Sequence, residues 1–150
     1  MRYLLAVVLS ALLLGCGHSK VPYQPQIDAG MDKNKAVKII KDEKIDFVLA
    51  VGGGSVIDGS KFLAAAGLYD GDGWDFLDGT AQVKKALPLG AILTLPATGS
   101  ESNTTAVISK HATNEKRYFG SPLVYPKFAV LDPNVMSTLD DRQLANGLVD

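Results

Sequence analysis

One apolar run, Ile45–Val51, limits the folds open to this chain more than any other feature. A strand that is apolar on both faces is typical of a parallel sheet with helices on both sides. The run ends in Gly52-Gly53-Gly54-Ser55, and the residues that follow, Val56–Gly67, have the apolar spacing of a helix. A strand, a glycine turn and a helix in this order predict an α/β fold with a Rossmann-like parallel sheet and flanking helices.

The other apolar patterns extend the same fold. Asp28 or Asp32 is placed to cap the first predicted helix, and Ser137 or Thr138 the last. The segment Tyr69–Thr80 is predicted to be mostly loop. The remaining predicted elements are helices at Met31–Lys44 and Asp140–Asp150 and strands at Leu89–Leu95, Thr104–Lys110 and Lys127–Leu131.

The glycine turn is suited to a phosphate, because free amides and about half a positive charge lie at a helix N-terminus. A tight structural turn is the alternative. The dinucleotide fingerprint G-x-G-x-x-G requires glycine where this chain has Ile57. The pattern G-x-x-x-x-G-K-[ST] fails because Ser60 separates Gly59 from Lys61, which turns the lysine about 100° around the helix, away from the phosphates.

Composition excludes several classes of protein. Fifteen Lys and Arg against sixteen Asp and Glu give a net charge of −1, so no overall basic field exists to bind nucleic acid. The 47% hydrophobic content is ordinary for a globular domain. One cysteine, Cys16, permits neither an intramolecular disulfide nor a thiolate metal cluster.

The N-terminal segment has the pattern of a bacterial lipoprotein signal. An apolar run, Leu4–Leu14, is too short to cross a bilayer, and Leu13-Leu14-Gly15-Cys16 resembles a lipobox. This interpretation predicts a leader at 1–16, a tether at 17–26 and a lipid on Cys16 that anchors the protein to a membrane. The alternative is a buried strand or helix with an unmodified cysteine. A third hypothesis is that the N-terminal segment comes from a faulty gene start or a fusion and is joined to a fragment of a cytoplasmic enzyme.

Four segments in order resemble the iron-containing (group III) alcohol dehydrogenases, in the branch of the butanol dehydrogenases and NADPH-dependent aldehyde reductases. The first two are Leu49–Gly59, with its GGGS-x-x-D loop, and Pro96–Asn103, with its T-G-S-E loop. The third pairs Lys116 with Phe128–Pro133, and the fourth is Ala145–Asp150. The resemblance implies that residues 27–150 are part of the NAD(P)-binding domain of a dehydroquinate synthase-like fold.

The resemblance also implies residue roles. Asp58 would lie near the nicotinamide, although an acid in the first helical turn is also favourable without a ligand. Lys116 would pair with the nucleotide, unless it is one solvated charge of a surface cluster. The other implied cofactor contacts are Gly53, Gly54 and Ser55 at the pyrophosphate, Thr98 and Ser100 on polar groups, and Met136 in the cleft.

The family's chemistry is hydride transfer between NAD(P)H and an aldehyde, or the reverse from a primary alcohol, with iron or zinc polarising the substrate oxygen. The resemblance makes Asp150 the first metal ligand and places three histidines in a helical domain beyond it. His18 and His111 match none of those positions. We therefore expect a truncated chain that lacks the helical metal domain and binds neither metal nor substrate productively.

The same resemblance implies N-terminal strands that this sequence replaces with the signal-like segment. Their loss is expected to leave a sheet edge uncovered and the choice between NAD and NADP undetermined. The implied partner is a small alcohol or aldehyde, with a homo-oligomer left open. The implied location is cytoplasmic unless the lipid anchor is genuine.

Overall fold

A parallel sheet of five strands organises the computed structural model, which describes residues 4–8, 26–28, 32–110 and 113–149, with side chains over 32–110 and 113–147. The sheet has the order β2-β1-β3-β4-β7, and every neighbouring pair is parallel. The predicted α/β class is confirmed. The sheet strands are β1 (Leu4–Val8), β2 (Gln26–Asp28), β3 (Phe47–Gly52), β4 (Leu89–Leu93) and β7 (Ala129–Val130). A separate antiparallel hairpin consists of β5 (Thr105–Lys110) and β6 (Glu115–Gly120). The α-helices are α1 (Lys33–Asp42), α2 (Gly54–Ala66), α3 (Asp75–Asp78) and α4 (Asp141–Val149).

Helix α2 occupies the centre of the core. Eleven of its thirteen residues are buried, so it has no continuous solvent-facing stripe. It contacts β3 of the sheet and β5 of the hairpin. Phe62 meets Phe119 of β6 edge to face, with ring centroids 6.5 Å apart. The position of the helix is therefore fixed by packing along its whole length.

The caps of two helices test the predicted boundaries. Asp32 caps α1, because its side chain accepts a hydrogen bond from the amide of Lys35 at 3.0 Å, as predicted. The predicted cap of α4 at Ser137 or Thr138 is wrong. Asp140 accepts from the amide of Gln143 at 2.7 Å, while Ser137 donates its hydroxyl to the carbonyl of Asn134 at 2.8 Å and closes the preceding turn.

Strand β6 is a finding that the sequence patterns did not predict. It pairs with β5 in register from Thr105 opposite Gly120 to Lys110 opposite Glu115. Only Phe119 of this strand is buried. A strand with one buried side chain and three consecutive charges lacks the alternation from which strands are recognised.

The N-terminal apolar run supplies an inner strand. Leu4–Val8 pairs with β3 on one side and with Gln26–Asp28 on the other. The expectation that missing N-terminal strands leave this side of the sheet uncovered is therefore wrong, since β1 and β2 lie beyond β3. This pairing gives no support to the leader at 1–16. Cys16 and most of the tether at 17–26 lie outside the described residues, and no described helix is long and apolar enough to cross a membrane.

The pairing of β1 predicts that Ala6→Pro destabilises the purified 150-residue chain. Ala6 lies opposite both Gln26 and Leu49, and proline removes a backbone donor from a strand with neighbours on both sides. We expect a loss of about 1–3 kcal/mol in the free energy of unfolding, measured by urea denaturation. Ala6→Ser keeps the amide and is the control. Unchanged stability in Ala6→Pro would contradict the strand and favour the leader.

Candidate functional site

The glycine turn lies where β3 passes into α2. Gly53 is the N-cap residue, and no side chain bonds the first amides of the helix. Those amides lack partners within the helix itself, so they remain available to a ligand. Together with the positive end of the helix dipole, they form a surface suited to an anionic oxygen. Gly53, Gly54 and Ser55 therefore have the geometry that the phosphate hypothesis requires.

The second loop, Pro96–Asn103, lies beside this turn at the carboxyl edge of the sheet. β3 and β4 are adjacent, and the amide of Thr94 donates to the carbonyl of Gly52 at 3.1 Å. A side chain at Gly54 would collide with Oγ1 of Thr98. The structure thus brings together the two segments whose predicted roles are in the cofactor cleft.

The hydroxyl groups of the second loop organise it internally. Oγ1 of Thr98 and Oγ of buried Ser100 are 2.9 Å apart, and the amide of Ser100 donates to Oγ1 of Thr98 at 3.3 Å. Gly99 has a φ of 65°, in the left-handed region that favours glycine. Thr98 is exposed beside the glycine turn, whereas Ser100 is buried beneath it in the loop.

Asp58 and Lys61 form a buried charged pair on α2. Asp58 lies in the second turn of the helix, since α2 begins at Gly54, and not in the first turn as predicted. Its Oδ2 accepts from the amide of Val107 at 2.9 Å, while Oδ1 is buried without a hydrogen-bond partner and lies 3.9 Å from Nζ of Lys61. The carboxylate thus contacts strand β5.

Lys61 is fully buried and directed toward the start of β5. Its Nζ donates to Oδ1 of Asn103 and to the carbonyl of Thr105, each at 2.7 Å. The predicted rotation away from the phosphates agrees with these contacts. Burial lowers the pKa of Lys61, and the nearby carboxylates of Asp58 and Glu101 oppose that shift.

The bond between Lys61 and Asn103 was missed at the level of sequence. The available signal was a lysine directly before the apolar run Phe62–Ala66. A charge buried among apolar residues requires polar partners. Which partners it has depends on a contact across 42 residues of sequence, and no local pattern predicts that.

Other predicted site residues are not brought to the turn by any described contact. Lys116 is exposed on β6, and within the described residues its side chain makes no hydrogen bond or ion pair. Its neighbour Arg117 pairs with Asp78 and Glu115, so this part of the hairpin is held against α3. Met136 is half-buried in a short 3-10 helix, Pro133–Met136.

The predicted metal ligand, Asp150, lies outside the described residues, as does His111. Among the side chains that are described, no group of three or more His, Cys, Asp or Glu could hold a metal ion. The described residues therefore do not form a metal site by themselves, and no chemical step can be derived through one. Helix α4, which leads to Asp150, approaches the second loop so closely that a side chain at Gly147 would collide with the carbonyl of Pro96.

Comparison with known proteins agrees with this arrangement. The sequence pattern of the family "Iron-containing alcohol dehydrogenase" matches residues 19–133. The chain therefore belongs to the iron-containing alcohol dehydrogenase family. The match contains the first three of the four segments, and the fourth, Ala145–Asp150, lies outside it.

Individual relatives match at high identity over part of their length. The NADPH-dependent aldehyde reductase YqhD of Escherichia coli is 55% identical over 118 residues, which are 77% of this chain and 30% of that protein. The probable NADH-dependent butanol dehydrogenase 1 of Bacillus subtilis is 53% identical over 117 residues, with 78% and 30% covered. The crystal structure of NADH-dependent butanol dehydrogenase A from Thermotoga maritima superposes with a TM-score of 0.77 at 41% identity, covering 85% of this chain and 34% of that one. The chain thus spans about 30% of the length of these curated relatives.

The close contact of the two segments predicts that Gly54→Ala destabilises the fold. The new methyl group would displace Thr98 and the second loop, at a cost of about 1–3 kcal/mol, measurable by urea denaturation. Gly59→Ala is the matched control on the same helix, because nothing lies within 4 Å of the added carbon. It should stabilise the protein by about 0.5–1 kcal/mol. Equal stability of Gly54→Ala and the wild type would contradict the contact.

Burial of Lys61 predicts a pH dependence of stability. Its pKa lies below the ordinary value of 10.5, so between the two values the unfolded chain binds a proton that the folded chain does not. Stability therefore rises with pH in that interval. The free energy of unfolding of the wild type minus that of Lys61→Met should therefore increase as pH rises toward 10.5. Denaturation at several alkaline pH values measures this difference. A difference that falls with pH would contradict the assignment.

Proposed function

We propose that the glycine turn and the second loop bind the pyrophosphate of NAD(P) in an alcohol or aldehyde dehydrogenase of this family. The observation that carries the proposal is the N-terminus of α2, which no side chain caps and against which Thr98 is packed. The amides of Gly53, Gly54 and Ser55 would donate to phosphate oxygens, because nothing else in the described structure occupies them. Thr98 is exposed and would add a hydroxyl contact.

The reaction proposed for the longer protein is hydride transfer between NAD(P)H and an aldehyde, or the reverse from a primary alcohol. The nicotinamide supplies or accepts the hydride. The contribution of this chain is to bind and orient the dinucleotide through its pyrophosphate. Relatives named as NADPH-dependent and as NADH-dependent match at 55% and 53% identity, so both cofactors remain candidates.

Further cofactor contacts are part of the proposal. Asp58 would act near the nicotinamide only if its carboxylate were released from the amide of Val107, to which it is bonded at 2.9 Å. Lys116 is exposed and unpaired within the described residues, so it is free to meet a phosphate or ribose. Met136 would line the cleft, and Asp150 would become a metal ligand in the company of residues from a longer chain.

A lipid anchor on Cys16 is the second candidate function, and its support is the pattern Leu13–Cys16. The parallel pairing of Leu4–Val8 counts against it, because a cleaved leader cannot contribute a strand. The comparison of Ala6→Pro with wild type separates the two interpretations: the strand requires residue 6, and a leader does not.

The proposed function predicts activity in an extended protein. The chain alone, which spans about 30% of the length of its curated relatives, should bind NADH and NADPH more weakly than micromolar. Joined to the following helical part of a relative such as the Escherichia coli aldehyde reductase, and loaded with iron or zinc, it should reduce aldehydes with NAD(P)H. The loss of reduced-cofactor absorbance measures this activity. The matched control carries Gly54→Val, which would obstruct the turn, and should lose most of this activity.

Two results would each contradict one part of this prediction. Micromolar binding by the chain alone would mean that the cleft is complete without the additional parts. A folded, metal-loaded extended protein with no activity would mean that these loops do not serve a dehydrogenase.

A further inference from the structure

A buried lysine joins the second loop to helix α2. Nζ of Lys61 is bonded to Asn103 and Thr105, which lie 42 and 44 residues further along the chain. Its side chain has no solvent exposure. Both partners lie where the second loop ends and β5 begins.

Asn103 is the centre of this junction. Its Oδ1 accepts from Nζ of Lys61 at 2.7 Å and from the amide of Thr105 at 3.0 Å. One side-chain oxygen thus sets the direction in which the chain leaves the loop. One turn earlier on α2, Asp58 accepts from the amide of Val107, so two side chains at positions i and i+3 of the helix hold the same stretch of backbone.

Packing alone does not require an ammonium group at this position. A methionine would fill similar volume without the cost of removing a charge from water. That cost is offset only if the donors of Lys61 meet acceptors in a fixed arrangement. Two of its three donors do so, and the carboxylate of Asp58 lies 3.9 Å away. The arrangement present fixes a loop, and the same loop carries Thr98 and Ser100 beside the glycine turn.

We propose that Lys61, acting with Asn103, is a positioning residue that fixes the second loop at the separation from the glycine turn that a bound pyrophosphate requires. Its effect on the nucleotide rests on the proposed function, whereas the ordering of the loop does not. Lys61 acts through the loop and not on the nucleotide, because its ammonium group is bonded to Asn103 and Thr105.

The test uses the 150-residue chain and four variants. Lys61→Met removes the donors. Asn103→Ala removes the shared acceptor and is the variant to rely on should Lys61→Met fail to fold. Asn103→Asp keeps an acceptor oxygen at the same place. Lys38→Met is the control for loss of a lysine charge, since the side chain of Lys38 is 74% exposed and pairs with Asp42 on α1.

The first measurement is hydrogen exchange of backbone amides, followed by mass spectrometry. Lys61→Met and Asn103→Ala should speed exchange of Ser100–Val107 about tenfold or more relative to exchange of β3. Asn103→Asp and Lys38→Met should leave it near the wild-type rate. Equal acceleration in β3 and in the loop would mean that Lys61 only stabilises the whole fold, and no acceleration would mean that it orders nothing; either result overturns the proposal.

The second measurement is the dissociation constant of NADH and of NADPH. Where the wild type binds either, Lys61→Met and Asn103→Ala should weaken it about tenfold, with Asn103→Asp unchanged. Unaltered affinity in a variant whose loop exchanges faster overturns the positioning role. Where binding by the wild type is too weak to measure, as expected of the chain alone, the proposed function is not contradicted and the exchange measurement alone decides the role of Lys61.

Discussion

The burial of α2 between the sheet and the hairpin is the constraint on which the rest of the structure depends. A helix that is buried on eleven of thirteen residues cannot shift without breaking contacts with β3 and with β5. Its N-terminus is therefore held at one place relative to the strand that precedes it. The open amides of the glycine turn are preorganised as a consequence, and a ligand bound there would not have to order them.

The same burial explains why charged groups occur inside the core. Asp58 and Lys61 are on the face of α2 that meets β5, where the helix has to satisfy backbone groups at the start of that strand. Apolar side chains could fill the space but could not accept from the amide of Val107 or donate to the carbonyl of Thr105. Each buried charge is thus matched to a backbone partner, and the remaining Coulomb interaction at 3.9 Å opposes the desolvation of Lys61.

The sequence predicts those parts of the fold whose signal is local. β3 and α2 follow from a near-continuous apolar run, three glycines and a helical repeat, and Asp32 caps α1 through a contact three residues away. The glycine turn could be predicted for the same reason, since its function uses backbone amides. β6 could not, because one buried phenylalanine among charges carries no period. The partners of Lys61 could not either, because they depend on a long-range contact.

The N-terminal run shows how one composition can support two predictions. A stretch of small and aliphatic residues fits a signal sequence and an inner parallel strand equally well, since both require continuous apolarity. The difference lies outside the stretch, in whether a neighbouring strand offers unpaired backbone groups. Here β3 offers them, and five residues of the run pair with Phe47–Val51 in register. Without β1, the backbone donors and acceptors on that side of β3 would lie at a sheet edge and would require water. With β1 paired to them, Leu4–Val8 gains backbone hydrogen bonds that an exposed leader would not make.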